Sequence, residues 1–258
     1  MADPHLQVYL GTVLLESNRW TPEKKPTFKV SEWAASIRDA GFAGLELWEN
    51  HAAQADEPEQ AALCRMPLPV ALFNSYCTFD DAGAQGRHRV ANFVRRFGAS
   101  GVKFNFGNES ARENDYVRNL LAWAGDLPAD CRLLCECHGG TLLETPDQAA
   151  RILAPLAGRV EIIIHPFAGE RTTLQEWLTC FGSAVTHVHV AALRGKWPML
   201  RLVDMADEAK ARLDMLRAAA FSGSWTVEFT GGVAQSPEDR RSLLANAAGD
   251  LVFLRENR

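Results

Sequence analysis

The stretch LLCECHGGTLLETPDQAARIL, residues 133–153, contains a complete strand–loop–helix unit. Residues 133–138 form a nearly continuous apolar run, the pattern of a parallel strand buried on both faces. Thr145-Pro-Asp-Gln148 then combines an N-cap, a proline at the first helical position and a capping-box glutamine. Ile152, Leu153 and Leu156 follow on one helical face.

The same alternation repeats along the chain. Strands are predicted at 7–12, 44–48, 70–74, 102–106, 133–138, 160–165, 185–190 and 225–229. Ser110-Ala-Arg-Glu113 and Thr173-Leu-Gln-Glu176 read as further capping boxes, Ser31 as an N-cap, and Ser236-Pro-Glu as the start of the last helix. Val90, Phe93, Val94 and Phe97 share a helical face, with Gly98 as its stop. Eight strand–helix units over 258 residues give about 32 residues each, the spacing of a closed (β/α)8 barrel. A doubly wound open sheet is the rival, but no Gly-rich phosphate loop follows residues 7–12. With no linker and no low-complexity tract, we expect an α/β fold: one TIM barrel occupying residues 1–258 as a single domain.

Apolar residues make up 47% and charged residues 23% of the chain, so it is neither a disordered tail nor a fibrous protein. The net charge of −5, without a block of like charges, argues against nucleic acid and anionic membrane as partners. Cys64, Cys77, Cys131, Cys135, Cys137 and Cys180 show no CxxC spacing, which suits reduced thiols better than a disulfide framework. The opening MADPHLQVYLGTV has no basic segment followed by an apolar one, and no run of 18 apolar residues occurs. These features lead us to expect a soluble cytoplasmic protein.

Barrel active sites lie at the carboxyl ends of the strands, so polar residues there carry the information. Glu136 and His138 share one face of strand five because side chains alternate, while Cys135 and Cys137 face the helices. His165 ends strand six, His187 and His189 share a face of strand seven, and Glu228 lies in strand eight. Glu136, His165, His189 and Glu228 thus come from four consecutive strands. Two carboxylates and two imidazoles suit one divalent ion, Mn²⁺, Zn²⁺ or Co²⁺, with Mg²⁺ as the harder option. The plainer alternative makes each His a hydrogen-bonded structural residue and each Glu the partner of an Arg or Lys. Substrate-contact candidates are His138, Trp48, Lys103 and Arg194, with Glu46, Glu49, His51, Asn105 and Lys196 nearby. Trp48 suits stacking on a sugar ring or a place in the core. Lys103 needs an anionic ligand or a carboxylate, and Glu46 is the expected partner. Arg194 and Lys196 read equally as surface charges.

GFAGLELWENH (41–51), LLCECHGGTLLETP (133–146), THVHV (186–190) and WTVEF (225–229), in this order, resemble the xylose isomerase-like (AP endonuclease family 2) superfamily of TIM barrels. The resemblance implies that Glu136, His189 and Glu228 hold one divalent metal. The chain departs from the pattern twice. The usual strand-six aspartate, with a histidine three residues on, is here His165 followed by Ala168. The usual HVKD after strand seven is His189-Val-Ala-Ala. A neutral ligand in place of an anionic one moves metal preference toward Zn²⁺ and the later transition metals, or marks a weakened site.

The expected function is metal-dependent isomerisation or epimerisation of a small sugar or related polyol or keto compound through an enediolate. Glu136 and Glu228 would act as acid and base, with His189 as ligand and orienter. A sugar-type dehydratase (a lyase) on the same site, and a degenerate barrel that binds metal or sugar without turnover, are the alternatives. Phosphodiester cleavage, as in the superfamily's repair branch, needs a three-metal cluster and a cationic surface; seven histidines and a net charge of −5 oppose it. The implied partner is a small carbohydrate, and barrels of this kind often form homo-oligomers.

Overall fold

The computed structural model describes residues 6–193 and 198–258. Its strands are β1 (Val8–Gly11), β2 (Gly44–Trp48), β3 (Val70–Asn74), β4 (Gly101–Asn105), β5 (Arg132–Glu136), β6 (Glu161–Ile164), β7 (Val185–Leu193), β8 (Met199–Leu200) and β9 (Ser224–Phe229). Its helices are α1 (Val30–Asp39), α2 (Glu49–Ala53), α3 (Glu57–Leu63), α4 (Ala84–Phe97), α5 (Glu113–Ala124), α6 (Pro146–Leu153), α7 (Arg171–Phe181), α8 (Ala206–Ala218) and α9 (Arg240–Asn257). Strands β1 to β7 and β9 pair in parallel, and β9 closes on β1, giving an eight-stranded barrel. The fold is the expected (β/α)8 barrel. Among the described residues no helix is long and apolar enough to cross a membrane.

Alternation of side chains divides the barrel into an outer and an inner face. Outward residues such as Val102, Phe104, Cys135 and Val188 join the large apolar layer beneath the helices. Inside, a small cluster of Leu72, Leu134 and Ile163, with Tyr9 against it, fills one level. Two residues further along these strands stand Asn74 and Glu136, so the interior turns polar toward the carboxyl ends.

β7 runs three residues past its predicted end because Ala192 and Leu193 pair antiparallel with Leu200 and Met199. The resulting hairpin extends one side of the barrel mouth. The predicted helix starts hold in part. Pro146 opens α6, and Gly98 ends α4 at φ +64°, a left-handed conformation that favours glycine. Ser31 is no N-cap: α1 begins before it, and its N–H and O–H both donate to the Glu59 carboxylate (3.0 and 2.5 Å). Thr173 lies inside α7, and Ser110 opens a 3₁₀ turn ahead of α5. The last helix begins at Arg240, capped by Asp239, because Glu238 is drawn away to pair with Arg19.

Candidate metal centre

Glu136 ends β5, His165 follows β6, His189 lies within β7 and Glu228 within β9. Parallel register brings all four to the mouth, with one ligand atom from each within 4.8 Å of the others. His165 Nε2 is 2.9 Å and His189 Nδ1 3.1 Å from Glu136 Oε1. Glu228 Oε2 stands 3.5 Å from His189 Nδ1 and 3.9 Å from His165 Nδ1.

The two carboxylates live in different surroundings. Glu136 is saturated: Oε1 faces both imidazoles, while Oε2 accepts from Asn105 Nδ2 (2.7 Å) and meets Lys103 Nζ at 2.5 Å. Burial would raise its pKa, but the Lys103 charge and the hydrogen bonds from His165 and His189 hold it well below the usual carboxylate range. The expected Lys103–Glu46 pair is therefore corrected. β4 neighbours β5, with Asn105 opposite Glu136, whereas Glu46 is two strands away. Glu228, by contrast, has no donor among the described residues nearer than His189 at 3.5 Å, too far for a good hydrogen bond.

His189 joins this cluster to a second one below it. Its Nε2 lies 3.0 Å from Glu46 Oε2, and Glu46 Oε1 accepts from Asn74 Nδ2 at 2.8 Å. Burial alone would lower the pKa of His189, but the charges of Glu46 and Glu228 raise it well above the ordinary value. Burial would likewise raise Glu46, yet His189 and His187 hold its carboxyl below the usual range. Under Glu46, His187 lies between Ser224 Oγ (2.8 Å) and Thr226 Oγ1 (2.9 Å). Burial pushes its pKa down to about 4, so it stays neutral. Glu46, His187 and His189 also form a compact group of possible ligands. Their ring nitrogens and carboxylate oxygens, however, already have protein partners.

The upper group fits a divalent cation on two observations. Glu228 is largely buried without a good donor, which a cation would remedy. His189 directs one ring nitrogen to a carboxylate behind it and the other into the cluster, the arrangement by which outer carboxylates orient metal-binding imidazoles. Glu136, His165, His189 and Glu228 are the residues that would hold the ion.

A cavity of about 580 Å³ opens beside the cluster and is lined by His138, His165 and Glu228. His138 lies beyond the end of β5, exposed, with Nδ1 2.6 Å from Gly139 O. Lys103 and Trp48 are not in the lining. Trp48 is fully buried, its ring 5.2 Å from that of His51. His51 bonds to Thr12 and Glu16, tying the segment after β1 to the end of β2. Glu49 accepts the Tyr76 N–H at 2.6 Å. Arg194 and Lys196 lie outside the described residues. Asn74 was overlooked in the sequence, although its place at the inward end of β3 is the signal that singled out the other site residues.

No family model matches the chain, and no curated protein matches it in sequence. Solved structures do. The "probable 3-DHS dehydratase AsbF" of Bacillus anthracis superposes with a TM-score of 0.68 at 16% identity, over 94% of this chain and 97% of its own. The 3-keto-D-glucoside 4-epimerase YcjR of E. coli gives 0.65 at 16% identity, over 96% and 99%. IolI, whose crystal structure carries a zinc atom, gives 0.66 at 12% identity, over 98% and 99%. These likenesses show the fold alone: the chain is a (β/α)8 barrel similar to those of these proteins.

Proposed function

We propose that this barrel is a divalent-metal-dependent isomerase or epimerase acting on a small sugar or related polyol or keto compound. The observation that carries the proposal is the convergence of two carboxylates and two imidazoles, within 4.8 Å of one another, at the carboxyl-end mouth beside a cavity. The zinc reported for IolI, and the epimerase and dehydratase names of the other two neighbours, support it at the level of chemistry.

Glu136, His165, His189 and Glu228 would hold a divalent ion, and the chemistry it would supply is Lewis-acid stabilisation of negative charge on a carbonyl oxygen. Glu228 removes the proton alpha to that carbonyl, because it borders the cavity and its oxygens have no strong donor to compete with. Glu136 is held ionised by Lys103 and Asn105, so its first task is to hold the ion. An isomerisation can use Glu228 alone, removing and returning the proton on one face. An epimerisation needs a second group on the opposite face; because Glu136 is held ionised, it would be the base there and a protonated Glu228 the acid that returns a proton to the other face. His138 reaches the substrate hydroxyls from the β5 loop.

The dehydratase reading starts from the same proton removal and ends in loss of a neighbouring hydroxyl. A new conjugated-enone absorbance marks it. Elemental analysis with a Glu228→Gln variant tests the main proposal. We expect about one metal per chain in wild type and weaker retention in the variant, and, with metal resupplied to saturation, a 10²- to 10⁴-fold loss of turnover and of alpha-proton exchange, as for removal of a general base. Wild-type exchange in Glu228→Gln would refute its role. All six cysteines are free, which fits a reducing compartment and supports a cytoplasmic location.

A further inference from the structure

The cavity beside the cluster is lined by two unlike kinds of group. His165, Glu228 and His138 bring oxygen- and nitrogen-bearing groups. Glu144 and Thr173 add two more polar groups, and the rest of the lining is mainly apolar: Leu174 and Trp177 of α7, Leu193 and Met199 of the β7–β8 hairpin, and Phe229 at the end of β9. Trp20 adds another aromatic ring, its centroid 5.9 Å from that of Phe229. Among the described residues no Lys or Arg lines the cavity. Two small side chains, Ala168 and Ala191, also line the cavity and leave room beside these groups.

A free sugar seated here would press hydroxyls against apolar side chains, each without a hydrogen-bond partner, at a cost that disfavours binding. A volume of about 580 Å³ lies in the range of sites that enclose a drug-sized molecule. Aromatic and aliphatic walls suit a flat apolar group, which gains both area burial and ring contacts. We propose that the substrate is a polyol or keto sugar bearing an aryl substituent. Its oxygens meet Glu228 and His165, and its ring rests on Trp177, Leu193 and Met199. This rests on the proposed function and names its substrate class.

The test is titration of the metal-loaded full chain with 4-methylumbelliferyl β-D-glucoside, methyl β-D-glucoside and free 4-methylumbelliferone, with metal content measured on the same samples. We expect the aryl glucoside to bind at least tenfold more tightly than either of the others. Ala168→Phe fills the wall from a loop position and should abolish that preference; Trp177→Ala should reduce it several-fold. Equal affinity for the two glucosides, no binding of the aryl glucoside, free umbelliferone binding as tightly, or a preference that survives Ala168→Phe would each overturn the proposal. Protein that takes up no metal yet prefers the aryl glucoside refutes the metal-dependent function and leaves the pocket assignment standing. Protein that takes up metal and shows no preference does the reverse.

Discussion

The two carboxylate–imidazole groups that share His189 are built from the same residue types and have opposite characters. In the lower one, Ser224, Thr226 and Asn74 answer the polar atoms of His187 and Glu46, and Glu46, His187 and His189 are fully buried. In the upper one, Glu228 has no donor within good hydrogen-bond distance and opens onto a cavity. The lesson is that residue type alone does not make a reactive site. A network whose ring nitrogens and carboxylate oxygens all have protein partners makes a frame, and one with a carboxylate left short of donors next to a cavity makes a place for an ion and a substrate.

The sharpest way to break this contrast is Glu136→Gln, which removes the anion from the one residue that serves both purposes. Lys103 is then left as a buried charge without its partner. We expect a loss of about 3–5 kcal/mol in stability, together with loss of metal and turnover. Urea unfolding and elemental analysis read the two effects separately, and unchanged stability would show that Lys103 does not depend on Glu136.

A buried carboxyl outside both groups provides the control. Asp250 of α9 accepts from Leu202 N and Thr230 Oγ1, each at 2.6 Å, yet burial pushes its pKa up to about 6. The folded chain therefore favours the protonated form. That stabilisation is complete below the unfolded value near 4 and is lost as pH rises through about 6. Over this window stability should fall by on the order of 2–3 kcal/mol through this residue. Asp250→Asn should flatten that part of the stability–pH curve without changing metal content. A curve of unchanged slope would remove Asp250 as its source.

Glu46→Gln tests whether the lower group serves the upper one. It leaves Lys103–Glu136 intact and weakens only the support behind His189, so metal affinity should fall about 10- to 100-fold. Competition with a chelating dye measures this. Affinity equal to wild type would make the lower group purely structural.

The barrel was legible because eight apolar runs alternate with capped amphipathic segments, and the four upper residues because each sits at a strand end where side chains turn inward. What escaped depends on distant partners. Nothing near Ser31 announces that Glu59 of another helix takes its donors. The length of β7 depends on pairing with Met199 and Leu200, beyond the reach of periodicity. The choice of Glu136 over Glu46 for Lys103 follows from strand adjacency, which becomes definite only once the barrel closes. Trp177, Leu193 and Met199 carry no sign in the sequence that they share a cavity, because α7 and the hairpin meet only in the folded barrel.

Arg212 reaches from α8 to the loop after β6 and donates to the carbonyls of Pro166, Ala168 and Gly169, while Glu208 holds its charge. One buried guanidinium thus secures three carbonyls within four residues of the loop beside His165. A loop fastened in this way cannot fold over an arriving molecule as a flap. His165 stands in place before the encounter, no ordering of this segment is required on binding, and entry and exit must be governed from other sides of the mouth.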